Sequence, residues 1–268
     1  MAELESTTDA QGAVPDLELV ALKSNEQLAE AAGLLHEVWG ARSEAARGEV
    51  MSTSLLRALS HSGNYVVGAY RGGKLLGCTV GMFGSLTDGR PDQLHSYMAG
   101  VLPALSSRGI GYAMKRHQLR WALTRDIETI TWTFDPLVSR NAYFNLCKLG
   151  VSVDAYEPDF YGRIDDGANT GQETDRLLVT WDLRNEWVTQ AMAGELGEMR
   201  RHASVLPEAE LIVVPKDIGT ARAAIQAERV AVRERFQSLI ADGYRVAGMS
   251  KAWEYVLLPE AVRPVYEP

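Results

Sequence analysis

One stretch restricts this chain more than any other: Val101-Leu102-Pro103-Ala104-Leu105-Ser106-Ser107-Arg108-Gly109-Ile110-Gly111-Tyr112-Ala113. An alternating strand pattern (94–101) feeds into it and a helical pattern (109–125) leaves it, so the chain must turn from strand to helix here. The first turn of a helix carries unpaired N–H groups and a partial positive charge, which together attract an anion. Gly109 and Gly111 let backbone come close to a phosphate, and Arg108 adds a charge at the same place. Lys115, Arg116 and Arg120 lie further along the helix, within reach of a phosphorylated nucleotide. The competing reading is a helix entrance whose glycines serve only tight packing. The stretch is neither a dinucleotide fingerprint, since the third glycine is missing, nor a Walker loop, since Gly-Lys-Ser/Thr is missing.

The segments around it set the architecture. Residues 1–15 are polar and acidic and read as a tail, followed by a strand at 17–22. Leu28, Ala31, Ala32, Leu35, Val38 and Trp39 recur at helical spacing, with Ser24 or Asn25 as the cap. A second helix is expected over 50–60, with Leu55, Leu56 and Leu59 facing inward. Strands at 65–70 and 75–83 flank Gly72-Gly73, the signature of a tight antiparallel hairpin. A polar loop at 85–92 precedes the strand at 94–101. Further strands are expected at 127–134, 151–156 and 177–183, and a helix at 139–149. Beyond residue 184 the pattern predicts a helix at 186–202, then a β-α-β-β run: strand 210–214, helix 221–241, strands 244–248 and 254–258. This run would extend the main sheet. The order implies a mixed α/β (α+β) fold. Three divisions are expected: a tail (1–15), a main domain (16–184) and a C-terminal extension (185–268).

Composition narrows the class. Cys78 and Cys147 sit in an apolar strand and helix, so a disulfide framework is not expected and a reducing compartment fits. No Cys/His spacing supports a metal site. No signal-peptide pattern or apolar run of ~20 residues appears, so no membrane span is expected and the cytoplasm is the expected location. A net charge of −8 argues against a nucleic-acid surface.

Gly100-Val101-Leu102-Pro103 followed by Ser106-Ser107-Arg108-Gly109-Ile110-Gly111 resembles the Val-x-Pro lead-in and Gln/Arg-x-x-Gly-x-Gly/Ala signature of the GNAT (GCN5-related) acyltransferases. Ala142, Lys148, Leu149 and Gly150 fit the family's helix after its fifth strand, and the element order through residue 183 is similar. Trp132 to Leu137, Arg140 to Ala142, and Asp175 to Leu177 look like a bacterial branch of longer members. The resemblance covers residues 16–184. It implies a mostly antiparallel twisted sheet flanked by helices, and acetyl-CoA or another acyl-CoA as co-substrate. It also implies direct attack of an amine on the thioester. Val101 would pair with the pantetheine arm. The amides of Arg108, Gly109, Ile110, Gly111, Tyr112 and Ala113 would hold the pyrophosphate, and Asn141 would contact the coenzyme. The sequence departs from the family at Ser106, in place of Gln or Arg, and at Leu146, where many relatives carry a tyrosine acid.

The residues leave the proton chemistry open. An ammonium must lose a proton before it can attack. His95 is suited to take it, and is otherwise an exposed strand-end histidine. Tyr97 is expected to share its face and line the acceptor pocket. Asp135 is a base or ammonium ligand, or else an Asp-Pro turn or cap. Tyr143 is the nearest hydroxyl to the missing acid, or a packing residue. Arg176 would bind an acceptor carboxylate, or sit in an ion pair with Asp175. Tyr161, Asp165 and Asp166 lie on a loop that would close over the acceptor. The leading expectation is an enzyme acylating a small primary amine, such as an amino acid, with an acetyl or larger group such as succinyl. The alternative is a coenzyme-binding regulatory or scaffolding protein without catalysis. A homodimer is left open.

Overall fold

The computed structural model describes residues 14–85, 92–162, 164, 171–186, 188–189, 202–214 and 222–267. The tail before residue 14, most of the loop at 85–92, Asp165, Asp166 and most of the expected helix at 186–202 lie outside the described residues. The chain forms two compact units, residues 1–130 with 165–170 and residues 131–164 with 171–268. The fold is mixed α/β, with mostly antiparallel strands flanked by helices.

The first unit runs β1 (Glu18–Ala21), α1 (Asn25–Val38), α2 (Glu44–Val50), α3 (Thr53–His61), β2 (Tyr65–Arg71), β3 (Lys74–Gly84), β4 (Gln93–Val101) and α4 (Ile110–Leu123). Strands β1 to β4 are sheet neighbours in that order, each antiparallel to the next. Ser24 caps α1 through a reciprocal bond with Gln27, which satisfies two otherwise orphaned donors. The helix expected over 50–60 is α3, capped by Ser52, and a further short helix, α2, capped by Ser43, precedes it. The buried stripe of α3 is narrower than expected: Leu56 is fully buried, whereas Leu55 is exposed. Leu22, Leu28, Leu35, Leu56, Cys78 and Val80 form the core beneath α1 and α3.

Helix α4 covers another part of the sheet, at Gly77 and Gly81. A Cβ on Gly77 would come within 2.9 Å of the Met114 sulfur and the Gly100 carbonyl, so only glycine admits the helix this closely. Strand β4 carries an extra residue here. Val80 pairs with Met98 but Met82 pairs with His95, which leaves Ser96 and Tyr97 opposite Gly81 alone. Such a bulge interrupts the ladder and re-aims side chains.

The second unit contains β5 (Thr129–Phe134), which begins in the last residues of the first, then α5 (Ser139–Tyr143), β6 (Ser152–Glu157) and β7 (Arg176–Asp182), in the order β5-β7-β6. From Phe144 to Leu149 the helix after α5 widens into a π-turn, closed by Gly150 at φ 72°. The C-terminal elements are β8 (His202–Ala203), β9 (Glu210–Ile212), α6 (Arg222–Ala241), β10 (Tyr244–Met249), β11 (Tyr255–Pro259) and β12 (Tyr266–Glu267). The expected β-α-β-β run is present as β9-α6-β10-β11. Its strands form a separate sheet, β10-β11-β9, and do not extend the main one. Aromatic packing welds the extension to the rest of this unit. Phe236 of α6 is fully buried between Tyr156 and Tyr255, with ring centroids 5.2 and 5.0 Å away. The Tyr255 hydroxyl donates to the Pro136 carbonyl at 2.9 Å. Both cysteines are free and buried. Among the described residues no helix is long and apolar enough to cross a membrane, and no acidic, His or Cys group is arranged to hold a metal.

Candidate active site

In the first unit the strand-to-helix turn leaves the start of α4 uncapped, an arrangement that could cradle an anion. After Val101 the chain makes a single 3-10 turn (Pro103–Leu105), then passes through Ser107 at φ 65° and Gly109 at φ 83°. The left-handed Gly109 is the N-cap of α4. No side chain caps that end, and the first helical bond, Ala113 N–H to the Gly109 carbonyl, leaves the preceding amides outside the helix ladder. A Cβ added at Gly111 would meet nothing within 4 Å. That open space at an uncapped helix end fits a pyrophosphate, and the exposed Arg108 stands beside it.

Lys115 does not extend along this cradle as its position in the sequence suggested. It points inward from α4 and is buried. Its amine donates to Ser96 Oγ at 2.9 Å and to Gln118 Oε1 at 3.1 Å, and Ser96 Oγ donates to the same Gln118 oxygen at 3.0 Å. Burial pushes the Lys115 pKa down to about 7. His95 sits beside the bulge. Burial, and then the Lys115 charge, hold its imidazole below the ordinary value. Tyr97 packs against the apolar cluster under α1. The bulge falls between the two residues, so strict alternation does not carry from His95 to Tyr97.

The second unit holds a cluster of charged side chains. Asp135, at the end of β5, receives both terminal nitrogens of Arg229 (3.1 and 2.8 Å), and its Oδ1 also accepts the Leu137 N–H at 2.9 Å. Both carboxylate oxygens are therefore committed. Arg176 lies 3.9 Å from Asp135, donates to the Asp175 carbonyl at 2.8 Å, and stacks its guanidinium 5.3 Å above the Tyr161 ring. The Tyr161 hydroxyl shares a 3.0 Å hydrogen bond with Thr133. Asp175 is fully buried. Burial alone would raise its pKa, but Arg233, the Tyr156 hydroxyl at 2.5 Å and the Asp159 N–H outweigh this and hold the carboxyl below the ordinary value. Arg233 also pairs with Glu173.

Asp135, Tyr161 and Arg176 thus come together. Asn141 is exposed on α5, with its Oδ1 near Asn145 Nδ2 at 3.4 Å. Tyr143 is buried, its ring between His202 and Trp253 at 5.1 and 4.8 Å. Leu146 is also buried, inside the π-turn. Sequence reasoning missed Arg229, Arg233 and the Lys115–Ser96–Gln118 triangle. Gln226, Arg229 and Arg233 do recur at spacings of three and four, a polar stripe on an otherwise amphipathic helix. Nothing in the sequence distinguishes such a stripe from a solvated face.

A model of the acetyltransferase (GNAT) domain matches residues 5–143, a little over half of the 268-residue chain. Among solved structures, an N-acetyltransferase from Staphylococcus aureus Mu50 is 11% identical, with a TM-score of 0.51 over 63% of this chain and 99% of that one. The ribosomal-protein-S18-alanine N-acetyltransferase from Escherichia coli is 12% identical, with a TM-score of 0.49 over 62% of this chain and 94% of that one. A putative acetyltransferase from Salmonella typhimurium, solved with acetyl-CoA, is 15% identical, with a TM-score of 0.49 over 64% and 96%. At 11% identity the likeness to the Staphylococcus aureus structure bears on the fold alone. A search of curated proteins found no match.

Proposed function

Because the chain belongs to the GNAT acetyltransferase family, whose chemistry is acyl-CoA-dependent N-acetyl transfer, we propose that it acylates the primary amine of a small molecule bearing a carboxylate, such as an amino acid. The group moved is acetyl or a larger acyl such as succinyl. The observation that carries this reading is the uncapped start of α4, with Gly109 left-handed and open space over Gly111.

The coenzyme brings a thioester whose carbonyl an amine attacks, with thiolate as leaving group. The residues divide the remaining work. The amides of residues 108–112, with Arg108, bind the pyrophosphate, whereas Ala113, counted with them from the sequence, gives its N–H to the Gly109 carbonyl; Val101 takes the pantetheine arm with backbone groups. Ser106 contributes less to phosphate binding than the Gln or Arg usual at its position. His95 takes the proton from the acceptor ammonium, because its depressed pKa keeps the imidazole neutral and able to accept. Asp135 is the weaker candidate, since Arg229 and Leu137 occupy both its oxygens. Arg176, stacked on Tyr161, binds the acceptor carboxylate. The extension serves this acceptor side through Arg229 and Arg233 of α6. Tyr143 is enclosed by aromatic rings, so the thiolate leaves without a side-chain acid.

The test is thiol release from acetyl-CoA and succinyl-CoA against a panel of amines and amino acids, with wild type beside Gly111→Trp. A Cβ at Gly111 meets nothing within 4 Å, so the substitution starts in open space at the helix end. Turnover with amino acids is expected, with kcat/KM falling by about 100-fold or more in the variant. Coenzyme binding without turnover against any acceptor would favour a coenzyme-binding protein that has lost catalysis. No binding at all would remove the cradle reading itself.

A further inference from the structure

The triangle behind the cradle breaks a rule that the rest of this core obeys. A lysine is almost never fully buried, because its ammonium must leave water. A methionine would fill the same space without that penalty. Lys115 nevertheless directs its amine at two neutral oxygens, Ser96 Oγ and Gln118 Oε1, deep between α4 and the sheet. Departures of this kind concentrate where function requires them.

The three residues occupy telling positions. Ser96 lies in the bulge of β4, where the β3–β4 ladder is interrupted and the backbone has lost part of its support. It is the immediate neighbour of His95. Lys115 lies on α4 five residues beyond Ile110, about 8 Å along the axis from the helix start. The donor pattern closes on itself: Lys115 donates to both oxygens, and Ser96 accepts from Lys115 while donating to Gln118. The triangle draws on two hydrogens of the lysine, and a neutral amine still has two to give. A pKa near 7 makes both forms accessible at ordinary pH.

We propose that Lys115 is a positioning residue for acyl transfer, fastening the bulged stretch of β4 beside His95 to the helix whose amino end takes the coenzyme. Through this joint, a ligand on the first turn of α4 is felt at His95. The proposal rests on the reading that α4 holds the coenzyme and His95 takes the proton.

The experiment uses the full chain, with coenzyme A as probe and His95 followed by NMR of its imidazole ring. In wild type, coenzyme A is expected to shift the His95 ring signals. In Lys115→Met and in Ser96→Ala the shift is expected to vanish while calorimetry still records binding within a few-fold of wild type. With an acceptor in hand, kcat is expected to fall about tenfold in both variants with KM for acetyl-CoA little changed, the mark of a contribution made in the transition state. The double variant should be no worse than Lys115→Met alone, because both break one joint. If Lys115→Met fails to fold, Ser96→Ala, which removes only a hydroxyl, carries the test. A His95 response to coenzyme A that survives in the variants overturns the proposal, as does wild-type kcat. If wild type binds no coenzyme A, the underlying reading has failed and not this one.

Discussion

The two regions proposed to carry function, the cradle at the start of α4 and the charged cluster, are built in opposite ways. The helix start, in the first unit, is made of consecutive residues: backbone amides from 108 to 112, left outside the helix ladder by a left-handed glycine and an uncapped end. The cluster, in the second unit, is made of side chains from four separate stretches of chain, and its two-pronged pair joins residues 94 positions apart, Asp135 and Arg229. A site made of amides tolerates almost any side chain that leaves it open. A site made of buried charges depends on each partner, because removing one strands the other away from water. The cradle is therefore separable from stability, and the cluster is not.

The largest effect that separates them is expected from Asp135→Ala. It strands Arg229, whose side chain is only 3% exposed, and should cost about 3–5 kcal/mol. Arg108→Ala in the cradle should stay within about 0.5 kcal/mol of wild type, since Arg108 is exposed. Urea titrations with unchanged slope would read both. The double variant Asp135→Ala with Arg229→Met should recover part of the loss, and purely additive losses would show that the pair is not coupled.

A smaller, pH-dependent effect should also divide the two regions. Asp175 has a folded pKa below its unfolded value of about 3.9, so its stabilisation is complete above that pH and lost as pH falls through the depressed folded value. Replacing its partner, Arg233→Gln, should flatten the acid limb of stability. In the first unit Lys115 has a folded pKa of about 7. The unfolded chain keeps that proton until about 10.4, so between these values wild-type stability should rise with pH relative to Lys115→Met. Thermal melts of the variants against wild type across pH 2–10 would test both slopes. A flat difference for Lys115→Met would mean the amine stays charged.

A modest effect is expected at a feature outside both regions. Ser24→Ala removes the cap of α1 and should cost about 1 kcal/mol, with coenzyme affinity unchanged. A change in affinity would show that α1 and the cradle communicate.

The features legible in one dimension are those whose physics is local. Ser24 and Gln27 cap a helix because they stand three apart, and Gly72-Gly73 turns a hairpin because two adjacent residues take positive φ. The turn from β4 into α4 at Gly109 is legible for the same reason, as is the order of the elements, since each pattern reports its own period. Folding added what separation along the chain conceals. Nothing in the sequence pairs Asp135 with Arg229, or encloses Tyr143 between His202 and Trp253. Lys115 reads as one more cation on a basic helix until the close approach at Gly77 and Gly81 turns its face inward. The C-terminal strands announce themselves, but whether they extend one sheet or form another depends on which edges are already taken. Burial makes each of these decisions: a charge's role follows from what surrounds it, and residues far apart in sequence supply the surroundings.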